Sequence, residues 1–152
     1  MNYWNKKALC IDLSTHSSEI KSFPELVEFL GGLPLGLKLG EMYIEERPLI
    51  FTIGPLNGFF PFVSKTCILD LGDSIKDVYL GGSLSTRLQF AGFDALVLNG
   101  ISENSTFLQI DSQGAVFLDS EESFFKSSLP GRSSKIEVGE STLLDGYFET
   151  AE

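Results

Sequence analysis

The segment 54–100 constrains the fold most, because it contains three glycine turns in a fixed order. The motif GPLNG (54–58) follows a compact apolar run, Gly81-Gly82 separates a second apolar run from a helical pattern, and Gly92 ends that pattern. Glycine lets the backbone turn or approach another group closely because it has no Cβ atom. Main-chain N–H groups at a helix start can bind anions. The segment therefore predicts short strands and one helix, joined by turns that expose N–H groups.

Apolar–polar patterning along the rest of the chain predicts many short strands. The expected strands are 6–13, 17–22, 49–54, 63–71, 74–80, 94–100, 106–111, 115–119 and 134–138. Three short helices are expected: one from Pro24 that Gly31-Gly32 end, one over 35–43, and one over 84–91 with Gly92 as its cap.

These elements predict an α+β fold with mixed or antiparallel sheets and a few short helices. A chain of 152 residues is long enough for one domain with a core, so we expect a single domain over 1–152. The pattern in 120–152, which is acidic and rich in serine in its first part, leaves that region uncertain.

The composition narrows the class of protein. Apolar residues make up 43% and charged residues 21%, which is typical of a soluble globular protein. The net charge of −10 argues against nucleic acid or an anionic membrane as partner, since both require a basic surface. No apolar run approaches the roughly 18 residues of a membrane-spanning helix, and the first residues lack the apolar part of a signal peptide. We therefore expect no membrane segment and a cytoplasmic location.

The cysteines and the histidine do not form a metal-binding pattern. Cys10 and Cys67 each lie in an apolar run, where buried free thiols are expected, and no CxxC spacing occurs. His16, the single histidine, lies in a Ser/Thr-rich turn and is expected to be an ordinary turn residue. No metal ligands are predicted.

Several motifs together carry a family resemblance over about 4–110. They are KALCIDLSTHSSEI, PELVEFLGG, GPLNG, Pro61, Gly81-Gly82 and FAGFDALVLNG. In this order they resemble the N-terminal domain of the tungsten-dependent aldehyde ferredoxin oxidoreductases. The resemblance implies a domain that forms the base for a tungsten or molybdenum bis-pterin cofactor in an oxidoreductase acting on aldehydes. It also implies that main-chain N–H groups hold the pterin phosphates, which glycines would permit.

The resemblance makes Lys65, Gly81, Gly82 and Ser83 the candidate cofactor-binding residues, and it indicates no catalytic residue in this chain. Lys65 stands where the family has an arginine; it keeps the positive charge but loses the bidentate geometry. Tyr79 replaces a family asparagine. The alternatives are an ordinary strand-to-helix turn capped by Ser83 and a solvated lysine at a strand end.

Iron–sulfur chemistry is not predicted for this chain by itself, because two isolated cysteines cannot supply four cluster ligands. The family's later Gly-Arg-Gly-Gly stretch has no convincing counterpart either. Two hypotheses follow. The chain could work with a separate subunit that carries the iron–sulfur domains, or it could be a non-catalytic relative that kept the fold for self-association or partner binding. The altered polar positions favour the second.

An aromatic cluster follows the GPLNG motif. Phe59, Phe60 and Phe62 surround Pro61 in a segment that lacks strand or helix character. Loop aromatics either fill the core or form a contact patch, and the pattern leaves both alternatives open. If they form a patch, we expect a homo-oligomer or a separate subunit to cover it.

Overall fold

The computed structural model describes residues 5–60, 62–119, 134–139 and 147–151. The strands within these residues are β1 (Lys6–Asp12), β2 (Ser17–Phe23), β3 (Leu49–Ile53), β4 (Thr66–Asp70), β5 (Lys76–Leu80), β6 (Ala95–Asn99), β7 (Phe107–Asp111), β8 (Gly114–Leu118), β9 (Lys135–Gly139) and β10 (Tyr147–Ala151). The helices are α1 (Gly32–Met42), α2 (Leu84–Ala91) and a 3-10 turn at Pro24–Leu26. Pro61 lies outside the described residues, as does 120–133.

The main sheet has six strands in the order β2-β1-β6-β3-β4-β5. Strands β1 and β6 are parallel and every other neighbouring pair is antiparallel. Two further antiparallel pairs, β7–β8 and β9–β10, form small separate sheets. The expected α+β class with mixed sheets is therefore confirmed, as is the hairpin of β1 and β2.

Helix α1 covers one face of the main sheet, and two of its glycines allow it to pack closely. A Cβ atom at Gly40 would lie 2.4 Å from Cδ1 of Leu71, and one at Gly36 would lie 3.4 Å from Cδ2 of Leu69. The core on this face includes Leu35 and Leu39 of the helix. Small residues on the inner side of α1 thus bring its backbone against β4.

Helix α2 covers the opposite face. Leu84 and Leu88 are buried there with Phe51, Ile53 and other apolar side chains of the sheet. Part of the same core is completed by β7 and β8, which contribute partly buried side chains. Gly92 ends α2 in the left-handed region with φ of 90°, so the prediction of a glycine cap is confirmed.

The chain between Pro24 and α1 differs from the expectation. The predicted first helix is only a three-residue 3-10 turn, and Gly32 begins a helix instead of ending one. Pro34 fits because it lies in the first turn of α1, where backbone N–H groups need no partner within the helix. The glycine pair therefore serves as the entry to α1.

Candidate functional site

Strand register brings two of the predicted glycine turns and Lys65 together at one end of the main sheet. Ile53 pairs with Thr66, and Thr66 pairs with Leu80. Because both pairs are antiparallel, the residues just beyond them, Gly54, Lys65 and Gly81, lie side by side. We call this the Gly81 edge (Gly54, Lys65 and Gly81). Lys65 and Gly81, distant in sequence, thus become neighbours.

The turn from β5 to α2 is open to approach from solvent. Gly81 and Gly82 are exposed, and Gly82 has φ of 82°, a conformation that favours glycine. A Cβ atom at Gly81 or at Gly54 would meet nothing within 4 Å. The edge therefore has room for a bound group directly over the backbone.

Ser83 does not cap α2 through its side chain, although the sequence allowed that role. It is the N-cap residue of α2 but makes no side-chain cap hydrogen bond. Its hydroxyl is instead hydrogen-bonded to the hydroxyl of Ser134. This contact ties the segment that leads into β9 to the start of α2, and it leaves the N–H groups of the first turn without a side-chain cap.

Lys65 precedes β4 and is exposed. Among the described residues, no acceptor or carboxylate engages its ammonium group. Lys6, another lysine at this end of the sheet, is by contrast buried and has two partners. Its Nζ donates to the carbonyl of Leu30 at 2.9 Å and lies 3.8 Å from Asp94. Lys65 is thus an exposed cation at the Gly81 edge.

The start of α1 lies near the same edge. A Cβ atom at Gly31 would lie 2.4 Å from the carbonyl oxygen of Ile53 and 3.4 Å from Cα of Gly54. The hydroxyl of Thr52 donates to the carbonyl of Gly32 at 2.9 Å. Gly31, the N-cap residue, makes no side-chain cap hydrogen bond. Two helix starts, one on each face of the sheet, therefore direct uncapped N–H groups to this end of the molecule.

Asn57 anchors the GPLNG loop, a role that sequence reasoning did not predict. Its side chain is 1% exposed, and Nδ2 donates to the carbonyl of Ser85 at 2.9 Å and to Oε1 of Gln89 at 2.8 Å. The N–H of Gly58 donates to the hydroxyl of Ser64 at 2.8 Å and closes the loop. An asparagine within a short Gly-rich loop was the signal that could have indicated it.

Several buried side-chain oxygen atoms beside Asn57 and α2 lack a hydrogen-bond partner. Within the described part of the chain, Oδ1 of Asn57, Oγ of Ser85 and Oγ1 of Thr66 have no hydrogen-bond partner. Thr66 lies in the row of Ile53 and Leu80, on the face that α2 covers. Ordered water commonly satisfies such atoms when the space is polar. The beginning of α2 therefore rests on a polar layer rather than on a purely apolar one.

Arg87 lies one turn into α2. It is only partly exposed, and its Nε is buried without an acceptor among the described residues. It follows Ser83 by one turn, and its main-chain N–H donates to the carbonyl of Ser83 at 2.9 Å. Arg87 thus carries a buried N–H donor one turn into α2.

Tyr79 precedes the glycine turn and pairs with Cys67 across the strands. Half of its surface is exposed, yet removal of the hydroxyl from water, with further contributions from Cys67 and Asp77, raises the pKa of Tyr79 to about 12. A phenol is already neutral at pH 7, so the raised pKa extends the neutral range of Tyr79 further into alkali. It can act as a neutral hydrogen-bond donor where the family has an asparagine.

The two cysteines lie on strands that are not neighbours, and burial lowers the reactivity of both thiols. Cys10 in β1 and Cys67 in β4 are both buried, and β6 and β3 lie between their strands. Burial is the largest cause of the raised pKa of both thiols. The residues with described side chains contain no group of three His, Cys, Asp or Glu side chains that could hold a metal ion. His16 lies in the exposed β1–β2 turn with its ring stacked on Phe117.

The aromatic loop (Phe59, Phe60 and Phe62) lies on the surface. The exposed fractions are 61% for Phe59, 61% for Phe60 and 97% for Phe62. These rings therefore do not fill the core of the chain, which removes one of the two alternatives. None of the helices in the described ranges is long and apolar enough to cross a membrane.

Known proteins similar to this chain include one relative with a named activity and one solved structure. An aliphatic sulfonate oxidoreductase, WOR-like subunit, from Pyrococcus furiosus is 29% identical over 126 residues, covering 72% of this chain and 20% of the relative. The active site complex BamBC of benzoyl coenzyme A reductase with 1,5-dienoyl-CoA superposes with a TM-score of 0.62 at 22% identity, covering 76% of this chain and 20% of that chain. The second similarity concerns the fold alone, and this chain spans about a fifth of each protein.

The family comparison covers most of the chain. The sequence model of the aldehyde ferredoxin oxidoreductase N-terminal domain matches residues 8–136. This range includes every strand of the main sheet apart from the first residues of β1, together with both helices. The chain therefore belongs to the aldehyde ferredoxin oxidoreductase N-terminal domain family.

Proposed function

We propose that the Gly81 edge holds the phosphate end of a tungsten or molybdenum pterin cofactor, in an oxidoreductase acting on aldehydes. The observation that supports this most is the alignment of Gly54, Lys65 and Gly81 by strand register, with two uncapped helix starts at the same end. An anion at this place would meet N–H groups and a positive side chain.

The residues present fit the anionic part of such a group. The space over Gly54 and Gly81 is empty out to 4 Å from a Cβ position, so a phosphate could approach the backbone there. Lys65 would supply charge as a point cation, without the fork of an arginine. When bound, the metal-pterin would supply the two-electron oxidation of an aldehyde to an acid.

In this proposal the chain binds and orients the cofactor and does not catalyse the reaction alone. Its cysteines are separated and buried, so electron transfer would need an iron–sulfur cluster held elsewhere, on a partner subunit. The relative from Pyrococcus furiosus is named as a subunit, which supports a shared assembly for this chain as well. We accordingly expect no aldehyde oxidation with viologen dyes by the pure chain.

The test is cofactor retention in a host that makes tungsten or molybdenum pterin. Bound pterin is measured by its fluorescence after oxidation and release, and metal by mass spectrometry. Gly81→Val fills the open space without a positive φ to violate, and Lys65→Ala removes the cation, so both should lower retention. Lys76→Ala, at the far end of β5, is the matched control. Retention that is equal in all three variants, or absent in the wild type together with its copurified partners, contradicts the proposal.

A second candidate function is protein association through the aromatic loop, as in a non-catalytic member of the family. The exposure of Phe59, Phe60 and Phe62 supports it, because soluble proteins rarely leave such a patch in water. Burial of each ring on association would contribute roughly 1.5–3 kcal/mol before the costs of association. Phe59→Ser with Phe60→Ser should shift an oligomer to monomer without unfolding it. A wild type that is monomeric at high concentration and has no copurifying partner contradicts this role.

A further inference from the structure

Two Asn-Gly dipeptides occur in the glycine motifs, Asn57-Gly58 in GPLNG and Asn99-Gly100 at the end of β6. Asn-Gly is a reactive pair, because glycine has no Cβ atom to hinder attack of its main-chain nitrogen on the preceding side-chain amide. The attack expels ammonia and leads to deamidation. Whether it proceeds in a folded protein depends on how firmly the amide and the glycine N–H are held. The structure holds these two pairs very differently.

The pair Asn57-Gly58 is fixed at both reacting groups. The side chain of Asn57 is 1% exposed, and its Nδ2 donates to two acceptors, at 2.9 Å and 2.8 Å. The N–H of Gly58 donates to the hydroxyl of Ser64 at 2.8 Å. Reaction would require these hydrogen bonds to break and a buried amide to rotate. We therefore expect this pair to be protected while the chain is folded.

The pair Asn99-Gly100 lacks these restraints. Within the described ranges, no hydrogen bond engages Oδ1 or Nδ2 of Asn99 or the N–H of Gly100. The main-chain carbonyl of Asn99 accepts from the N–H of Leu13 at 2.8 Å, so β6 is still paired at this residue. Gly100 is exposed beyond the strand, with φ of 72°. The amide and the nitrogen that would attack it are thus both free of hydrogen bonds at the end of a strand.

The fold requires glycine at position 100. A Cβ atom there would lie 3.1 Å from Oδ1 of Asp12 and 3.1 Å from Oγ of Ser14, and the positive φ is one that other residues rarely adopt. A bulkier residue, which would slow the attack, therefore does not fit. The turn after β6 thus keeps the dipeptide that is most open to deamidation.

We infer that Asn99 is a site of spontaneous deamidation in the folded chain. The main-chain nitrogen of Gly100, on losing its proton, forms a bond to Cγ of Asn99. The bond from Cγ to Nδ2 breaks, and ammonia leaves. Water, the co-reactant, then opens the resulting cyclic imide at either carbonyl carbon. One opening gives aspartate, and the other gives isoaspartate, in which the main chain runs through the side-chain carbon atoms.

The product would place a second carboxylate beside Asp12. Asp12 and Asn99 are partners in the parallel pairing of β1 with β6, so their side chains lie on the same face of the sheet. Hydrogen bonds from the hydroxyl of Ser14 and from the N–H groups of Thr15 and Ser14 lower the pKa of Asp12, which is therefore ionised at neutral pH. Two like charges on neighbouring strands repel each other, so deamidation should weaken this end of the β1–β6 pair.

The deamidation site is independent of the proposed cofactor site. In the pairing of β3 with β6, Leu49 lies beside Leu98, next to Asn99, whereas Ile53 at the other end of β3 leads to the Gly81 edge. The two sites therefore lie at opposite ends of the main sheet. Failure of either proposal leaves the other unchanged.

The test is incubation of the folded full chain in mildly alkaline buffer below its unfolding temperature, followed by digestion and tandem mass spectrometry. The mass gain from amide to acid identifies each converted asparagine, and released ammonia measures the total. Asn99 should convert about tenfold or more faster than Asn57, because hydrogen bonds hold only the second pair. In urea the two rates should become similar. Asn104, which is exposed but followed by Ser105, is the control for exposure alone and should convert more slowly than Asn99.

Variants of the same pair complete the test. Asn99→Gln should remove most of the ammonia released by the folded chain, because attack on the longer side chain is unfavourable. Asn99→Asp carries the charge of the product and should lower the urea midpoint of unfolding. Asp12→Asn in that background should restore part of it, since asparagine keeps the acceptor Oδ1 for Ser14. An Asn99 that stays intact in the folded chain, or an equal rate at Asn57, overturns the inference. An unchanged midpoint in Asn99→Asp overturns the weakening of the β1–β6 pair.

Discussion

Asn57 and Ser85 are joined by a hydrogen bond of 2.9 Å from Nδ2 to the main-chain carbonyl, inside the protein and 28 residues apart in sequence. This bond connects the loop that follows β3 to the first turn of α2. The loop carries the exposed phenylalanines, and the helix start borders the Gly81 edge. One buried amide thus links the two surfaces to which we assign functions.

Replacing Asn57 should therefore destabilise the chain. Asn57→Ala removes two hydrogen bonds and leaves the carbonyl of Ser85 and Oε1 of Gln89 without their donor, so we expect a loss of about 1–3 kcal/mol in the free energy of unfolding. Urea unfolding followed by circular dichroism measures it. Asn104→Ala, at an exposed position, should change stability by less than about 0.5 kcal/mol. Equal effects of the two substitutions would show that the amide is not an anchor.

Gly31 and Gly54 provide a matched pair of glycine substitutions. A Cβ atom at Gly31 would collide with the carbonyl oxygen of Ile53 at 2.4 Å, and its φ of 150° is unfavourable for other residues. Gly31→Ala should therefore cost about 3 kcal/mol. Gly54→Ala should cost little, because nothing lies within 4 Å of its Cβ position. Thermal unfolding of the two variants checks this, and a tolerated Gly31→Ala would contradict the close approach of α1 to β3.

Tyr79 should make the chain less stable in alkali. The pKa of its phenol is about 12 in the folded protein against 10.0 for the free side chain, so between these values the unfolded state has lost a proton that the folded state retains. Its contribution to stability is then full below pH 10 and declines as the pH rises toward 12. Because the ring is half exposed, we predict the direction only.

The measurement is the urea-unfolding free energy of the wild type and of Tyr79→Phe across that alkaline range. The decline should be shallower in Tyr79→Phe, since the other titrating groups are common to both proteins. Identical slopes would mean that the phenol titrates normally. Phenolate absorbance, taken as the difference between the two proteins, reports the pKa directly.

The two thiols should be unreactive in the folded chain. Cys10 and Cys67 are buried, and the pKa of each is raised mainly by burial, so little thiolate is available at neutral pH. Ellman's reagent should react slowly with the native protein and rapidly in denaturant. In Phe62→Cys, where the new thiol is exposed, one rapid and two slow reactions are expected. Rapid reaction of both native thiols would show that β1 or β4 opens readily.

The local pattern of the sequence was sufficient for most of the elements. Alternation of apolar and polar residues predicts the strands, as in the β1–β2 hairpin, because successive side chains point to opposite faces of a sheet. Gly92 predicts the end of α2 for a similarly local reason, since glycine favours the left-handed conformation of a helix cap. The glycine motifs also carry the family resemblance, which the comparison over residues 8–136 confirms.

What the sequence by itself determined is therefore most of the elements, the fold class and the family. The tertiary structure decided which residues meet. The entry to α1 at Gly31-Gly32 depends on the close approach of the Ile53 carbonyl. The hydroxyl of Ser83 bonds to Ser134, and the side chain of Asn57 is buried against α2. Each is a contact between segments far apart in sequence, which no local propensity encodes. Lys65 and Gly81 become neighbours for the same reason, because the pairing of β4 with β5 sets their distance.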